Sequence, residues 1–319
     1  MDCMFSADLM VDDTVGTANT LVDRLGLPKL RPTWTDRGQT LDELVYLRAY
    51  HPLSAAAPTN IEITGRRLYP KLGIRPPAFD RQAPGRPVQT HATVLITKRY
   101  AEMIDRLRSN GIRHYDMPDP GDGLARCWFG VEDLDPGDPA LNDYDPTSDG
   151  GIFLEAISWE GTTLAAREPI PVVVTEGATT RVVARTYLVP DIDATLVALR
   201  RALDWPGPSV DVASTGGLRH ATLQPSLPSS AALELVEGRG APGRHGDFFT
   251  RWGVGPHAIR LGVHGLEAKA ADLDRRGTPF TETSAPNGDQ ALLVDPDALG
   301  GVIVEFVEDS LFATSGSAP

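Results

Sequence analysis

A chain of 319 residues, 41% hydrophobic and 23% charged, has an ordinary globular make-up and enough length for about two domains. Its net charge of -13, with no cluster of Lys and Arg, excludes the basic surface that nucleic-acid binding needs, so no such partner is expected. Cys3 and Cys127 are too few and too far apart for a disulfide framework and read as free thiols of a reducing cytoplasm; no run approaches the ~20 apolar residues of a membrane span.

Taken in order, Ala7 to Val11 reads as a strand that stops at Asp12-Asp13, good N-cap residues. A helix follows with Val15, Ala18, Leu21, Val22 and Leu25 on one stripe. LVYLRAY (Leu44 to Tyr50) and TNIEITG (Thr59 to Gly65) are strand-like and complete a first unit. A Pro-rich connector, Pro70 to Pro87, leads to the strand HATVLIT (His91 to Thr97). Next come a helix with Tyr100, Met103, Ile104 and Leu107 inward and Gly111 at its stop, then the strands ARCWFGV and GGIFLEAI. Residues 162–180, with Pro169 and Pro171, read as an interdomain linker. The order then starts again with RVVARTYLV, a helix bearing Ile192, Leu196, Leu199 and Leu203, and strands around Val210, Arg219 to Leu223 and Ala232 to Val236. GRGAPGRHGD (238–247) reads as a hairpin or module linker; it lacks the Lys-Ser/Thr of a phosphate loop. The strand PHAIRLGV, a helix with Leu266, Ala270 and Leu273, and a last strand VIVEFV follow, and the tail after Leu311 reads as disordered.

One stretch occurs twice. DYDPTSDGGIFLEAI (Asp143 to Ile157) returns as LVDPDALGGVIVEFV (Leu293 to Val307), with Asp145, Gly150 and Glu155 matched by Asp295, Gly300 and Glu305 at a constant offset (295 minus 145 and 305 minus 155 are both 150). Each copy is an Asp-Pro turn, a glycine pair and an alternating apolar strand with one central carboxylate. A carboxylate among apolar neighbours on both strand faces needs a partner.

Four βαβββ units in two pairs, with a Glu in the last strand of each, resemble the vicinal oxygen chelate superfamily of glyoxalase, bleomycin-resistance and extradiol-dioxygenase type proteins. The resemblance covers about Phe5 to Glu308. It is strongest in PHAIRLGVHGLEAKAADLDRRG and VDPDALGGVIVEFVED. It implies an α+β fold in which paired modules form two incompletely closed sheets, each around a cleft. Residues 1–160 and 181–310 would be the two domains, 161–180 the linker and 311–319 the tail. It also implies a divalent ion held by side chains from the first and last strands of each module.

Carried over position by position, the resemblance puts metal ligands at Glu62, His91 and Glu155, with Glu155 and Glu62 also the catalytic carboxylates. The fourth position falls on Ser6, where the family has His or Gln; Asp8 shares that strand face, so Asp8 or a water would complete the shell. Arg48 and Tyr50 are candidates for the cleft wall. In the second pair Glu234 and Glu305 match, but Ala184 and Ala258 stand where His belongs, and His257 is one residue off. Arg260 shares the face of Ala258, which points to anion binding or to pairing with Glu234 or Glu305 in place of a metal. His220 and His264 read as surface residues.

By that resemblance the chain is a metal-dependent lyase or isomerase acting in its N-terminal cleft on a small oxygenated carbonyl compound. The ion would be one divalent metal such as Zn, Ni, Fe, Mn or Co. Two other readings stay open: a metal-free small-molecule binding or resistance protein, and an extradiol-type dioxygenase. The expected partner is a small molecule, with no nucleic acid and no membrane, and the protein a cytoplasmic monomer or homodimer.

Overall fold

A computed structural model describes residues 1–28, 44–47, 58–71, 75–117, 124–134, 143–160, 162, 175–207, 210–309 and 311. Two sheets carry the fold. The first contains β1 (Cys3–Val11), β2 (Leu44–Leu47), β3 (Asn60–Gly65), β4 (Thr93–Thr97), β5 (His114–Met117), β6 (Arg126–Phe129) and β7 (Leu154–Ser158), in the order β2-β3-β1-β4-β7-β6-β5. The second contains β8 (Thr179–Val189), β9 (Ala213–Thr215), β10 (Leu218–Leu223), β11 (Ala232–Glu237), β12 (Gly255–Val263), β13 (Phe280–Ser284), β14 (Gln290–Val294) and β15 (Val304–Glu308), in the order β13-β14-β15-β12-β8-β11-β10-β9.

The sheets repeat one pairing scheme. β1 runs parallel to β3 and antiparallel to β4, and β4 runs parallel to β7; likewise β8 runs parallel to β11 and antiparallel to β12, and β12 parallel to β15. Two modules thus join edge to edge in each half, the α+β architecture expected from the sequence. The repeated turns are also physically alike. Asp145 accepts from Thr147 N at 2.9 Å and Asp295 from Asp297 N at 3.1 Å, and both glycine pairs take positive φ (75° and 84° at Gly150 and Gly151, 66° and 93° at Gly300 and Gly301). Only glycine adopts such a pair without a Cβ clash.

Among the described residues the α-helices are α1 (Thr14–Leu25), α2 (Leu68–Lys71), α3 (Tyr100–Ser109), α4 (Ile192–Leu203), α5 (Gly243–Trp252) and α6 (Leu266–Arg275). Asp13 caps α1 by accepting from Gly16 N, and Gly26 ends it in the left-handed region, bonding back to Val22 O. Its stripe of Ala18, Leu21, Val22 and Leu25 is buried, whereas Val15 is exposed. Asp191 caps α4 in the same way. These stripes, with Ala7 and Leu9 of β1, Ile61 and Ile63 of β3, and Tyr187 and Val189 of β8, belong to one apolar cluster that runs through both halves. On α6 the buried positions are Lys269 and Leu273, with Leu266 and Ala270 half-covered; the Lys269 ammonium donates to Leu25 O of α1 at 2.7 Å.

The glycine-rich stretch expected to be a hairpin or linker is instead the approach to α5. Pro242 admits the helix, and the aromatic residues after the glycines drive it: Phe248 and Phe249 pack with Leu188, Leu218 and Val236. A Cβ at Gly238 would overlap the Phe249 ring, which is why that position is bare. No helix among the described residues is long and apolar enough to cross a membrane. Arg48 and Tyr50, most of the 161–180 linker and residues 312–319 of the tail lie outside the described residues.

Candidate metal centre

The β1–β3 ladder places Asp8 beside Glu62 and Ser6 beside Asn60, so Ser6, Asp8, Asn60 and Glu62 share one face. Asp8, not Ser6, is therefore the β1 residue in register with the carboxylate. His91 lies in a bend two residues before β4 and is brought in by its own backbone: its amide donates to Asp8 Oδ2 at 2.7 Å. Its ring sets Nδ1 2.9 Å from Asp8 Oδ1 and Nε2 3.6 Å from Glu155 Oε2, and is flanked by Tyr69 (centroids 4.8 Å apart) and Trp128 (6.0 Å).

Asp8, Glu62 and His91 each offer one ligand atom, and these lie within 4.8 Å of one another. The three side chains are 1%, 5% and 2% exposed. The group holds two of the three expected ligands, Glu62 and His91, together with Asp8, the residue expected to complete the shell. Glu155, at the place the resemblance assigned to a ligand, stands outside this group, with Oε2 on His91 and Oε1 3.7 Å from Arg126 Nη1. The cause is register: the β4 residue opposite Glu155 is Val94, while His91 sits three residues earlier and turns toward Asp8.

Asp8 is held tightly. Thr64 Oγ1 donates to Oδ1 at 3.0 Å and Thr90 Oγ1 to Oδ2 at 2.6 Å. Burial alone would raise its pKa, but the facing His91 and these hydrogen bonds hold it below the usual carboxylate value. His91 shows the opposite balance: burial opposes its charge, and Asp8 more than offsets that, so its pKa stands well above that of a free imidazole. Glu62 is pushed up to about 7, chiefly by burial, with His91 pulling the other way. Burial and then the charge of Glu62 raise the phenols of Tyr46, opposite Glu62 in the β2–β3 ladder, and Tyr69 well above their ordinary value.

Several buried atoms here make no well-formed hydrogen bond: Ser6 Oγ, Asn60 Oδ1, His91 Nδ1, Trp128 Nε1 and Glu155 Oε1. His91 Nδ1 is at contact distance from Asp8 but out of line for a hydrogen bond. Unmet polar atoms clustered around two carboxylates and an imidazole fit a divalent cation and its ligand, because each unsatisfied group is costly when buried. Asp8 and His91 Nδ1, facing each other at 2.9 Å, also meet the geometry of a buried ion pair.

The second half fills the same register positions differently. Glu234 lies opposite Thr186, and Arg260 opposite Glu305 and Ala184. Arg260 donates to both oxygens of Glu234 at 2.8 and 2.9 Å and to Glu305 Oε2 at 3.1 and 3.2 Å; Thr186 adds a bond to Glu234 at 2.8 Å, and Arg244 of α5 pairs with the other Glu305 oxygen. The charge pair expected at Arg260 is thus a double one. Ala184 and Ala258 offer no ligand atom. His257, beside a strand irregularity, is buried against His245 and Phe248 of α5. His220, expected at the surface, is buried beside Thr215, while His264 is half-buried near Glu308.

Sequence reasoning did not find Arg126, Trp128, Tyr69, Tyr46 and the Asp8-binding threonines. Trp128 and Arg126 are in register on a strand that was recognised, two residues apart, and that spacing was the available signal. Tyr69 belongs to a one-turn helix with no periodic signature.

No family model and no curated protein matches this chain. Among solved structures, a variant of 4-hydroxymandelate synthase from Streptomyces coelicolor is 12% identical, covers 97% of this chain and 94% of its own, and gives a TM-score of 0.58. Methylmalonyl-CoA epimerase from Streptomyces coelicolor, in complex with 2-nitronate-propionyl-CoA, is 25% identical over 41% of this chain and 99% of its own, with a TM-score of 0.35. The epimerase from Mycobacterium tuberculosis is 22% identical over 45% and 97%, with a TM-score of 0.36. The likeness that runs the length of the chain is one of fold, and it agrees with the paired-module topology: this protein has the vicinal oxygen chelate fold in its four-module, two-sheet form.

Proposed function

We propose that the N-terminal half holds one divalent metal ion on Asp8, Glu62 and His91, and that the chain is a metal-dependent lyase or isomerase acting on a small oxygenated carbonyl compound. The observation that carries this reading is the convergence of three buried ligand atoms within 4.8 Å, beside further polar atoms that lack partners. When bound, the ion would polarise a carbonyl oxygen and favour developing negative charge there. Zn, Ni, Fe, Mn and Co all suit two carboxylates and an imidazole.

The chain's own groups supply the rest. Glu155, buried and with Oε1 lacking a hydrogen bond, is the group we assign to move a proton on the substrate. Arg126, 3.7 Å from that oxygen, steers an anionic oxygen of the substrate toward it. Trp128 Nε1, buried and unbonded, offers a further donor to a substrate oxygen. Aromatic walls from Tyr46, Tyr69 and Trp128 exclude water from the reacting atoms. We place the division between the halves in residues 161–180, between β7 and β8.

The ion pair that Asp8 and His91 form by themselves supports the second reading, a metal-free small-molecule binding protein. The extradiol-type reading gains least, because it needs the ion in the C-terminal half, where Arg260 stands between the carboxylates. Metal analysis of untagged protein, with a thermal-shift series in divalent ions, tests the proposal. About one equivalent of metal and a raised Tm are expected. No metal, and no shift with any ion, would leave the binding-protein reading.

A further inference from the structure

The C-terminal half, whose own cleft is filled, reaches the N-terminal site from behind. β8 directs Arg185 and Tyr187 toward β1 and the segment before β4, and both side chains are almost wholly buried. Arg185 Nη2 donates to the backbone oxygen of Asp8 at 2.9 Å, across 177 positions of sequence. The Tyr187 hydroxyl lies against the hydroxyls of Thr90 and Thr93. Thr90 Oγ1 has a single proton and two acceptors in reach, Asp8 Oδ2 at 2.6 Å and Ala92 O at 2.7 Å. A charged acceptor makes the stronger bond. Giving that proton to Asp8 Oδ2 leaves Thr90 Oγ1 a lone pair, and the neighbouring Tyr187 hydroxyl is the group placed to fill it.

We propose that Arg185 and Tyr187 are positioning residues for the N-terminal metal site. Through them the C-terminal half fixes the backbone of Asp8 and engages its Oδ2, so that Oδ1 is the oxygen turned to His91. This rests on the metal reading above and adds to it a task for the second sheet: the ligand set on one half is oriented by side chains of the other. Groups that hold a ligand from outside tune metal affinity by about 10- to 100-fold when removed.

The test uses the full chain and Co2+ as probe. Tyr187→Phe removes one hydroxyl and keeps the ring; Arg185→Lys keeps a donor and Arg185→Met removes it. Tyr144→Phe is the comparison, since the Tyr144 hydroxyl bonds Asp149, away from Asp8. Each protein is titrated with Co2+ by calorimetry, its visible absorption is recorded, and its metal-free Tm is measured. Expected are an about 10-fold weaker affinity and an altered absorption band for Tyr187→Phe and Arg185→Met, partial rescue in Arg185→Lys, and a parent-like spectrum for Tyr144→Phe whatever its Tm. Parent affinity and spectrum in both Tyr187→Phe and Arg185→Met would overturn this inference alone. A parent chain that takes up no Co2+ would overturn the metal reading and this inference with it. If Arg185→Met does not fold, Tyr187→Phe and Arg185→Lys decide the matter.

Discussion

The two clefts share a topology and a pair of buried glutamates each, yet they differ in what faces the carboxylates. In the first, Asp8 and His91 meet Glu62, and a set of ligand atoms is left facing one point. In the second, the register positions of β8 and β12 carry Thr186 and Arg260, and the guanidinium clamps Glu234 and Glu305 together. A carboxylate in the middle of the last strand is therefore common to both halves and diagnostic of neither. The residue across the ladder decides what stands against the carboxylate: a second carboxylate beside an imidazole in one half, a guanidinium in the other.

The largest expected effect comes from removing the tethered cation. Arg260→Ala leaves Glu234 and Glu305 buried without compensation and should lower stability by about 3 to 5 kcal/mol in chemical denaturation. An unchanged denaturation midpoint would mean that water already reaches those carboxylates. The analogous change on the exposed edge of the same sheet marks the contrast. Arg219 also bridges two carboxylates, Glu237 at 2.6 Å and Asp193 at 2.9 Å, but its side chain is 41% exposed against 6% for Arg260.

Metal titration by calorimetry separates the clefts next. Asp8→Asn and Glu62→Gln should weaken divalent-metal binding by about 100-fold, on the scale at which one charge-assisted ligand contributes. Glu155→Gln should weaken it far less, because Glu155 touches His91 rather than joining the trio, and Glu305→Gln should leave it unaltered. Equal loss in Glu155→Gln and Glu62→Gln would return Glu155 to the ligand set.

Acid should strike the second half first. Burial, together with Arg244, pushes His245 down to about 4, and burial, together with His245 and Arg244, holds His257 well below an ordinary imidazole. Their folded pKa values lie below the unfolded ones, so the unfolded state binds more protons. The stability they confer is complete above pH ~6.5 and is lost as pH falls toward 4. His245→Gln should flatten the fall in Tm between pH 6.5 and 4; an equal slope in parent and variant would show that His245 does not titrate there. The smallest effect belongs to Arg219→Ala, which should change stability by less than about 1 kcal/mol in the same denaturation assay. A loss as large as that of Arg260→Ala would mean that burial is not what separates the two clamps.

The sequence carried the architecture because strand alternation, capped helices and the doubled Asp-Pro, Gly-Gly turn are all local signals. Glu62 and His91, picked out by the resemblance in segments recognisable as strands, are two of the three residues that come together. The sequence did not show that Asp8 rather than Ser6 stands beside Glu62, nor that His91 turns to Asp8 with Glu155 outside the trio, because both depend on how strands slide past one another. The β1–β4 ladder shifts between Met4 and Ser6, and His91 leaves the strand before its ring is used. Arg260 was legible as inward-facing, and as a partner of Glu234 or Glu305, from the register of the resemblance; that it binds both, and that Arg244 joins it, was not, since α5 hid behind glycines. Nothing local in RVVARTYLV announces that Arg185 will bond a backbone oxygen 177 residues away.

One side chain from the first half ends α5. The Arg86 guanidinium donates to Trp252 O at 2.8 Å, Gly253 O at 3.2 Å, Val254 O at 3.0 Å and Pro256 O at 2.7 Å, while its plane lies over the Phe248 ring. A helix that ends with its last carbonyls turned inward has no water to satisfy them, and the favourable charge there is positive. Here both needs are met by a residue more than 150 positions upstream. The end of that helix is therefore completed by the first half, and Arg86 joins Arg185 and Lys269 among the side chains through which each half satisfies backbone oxygens of the other.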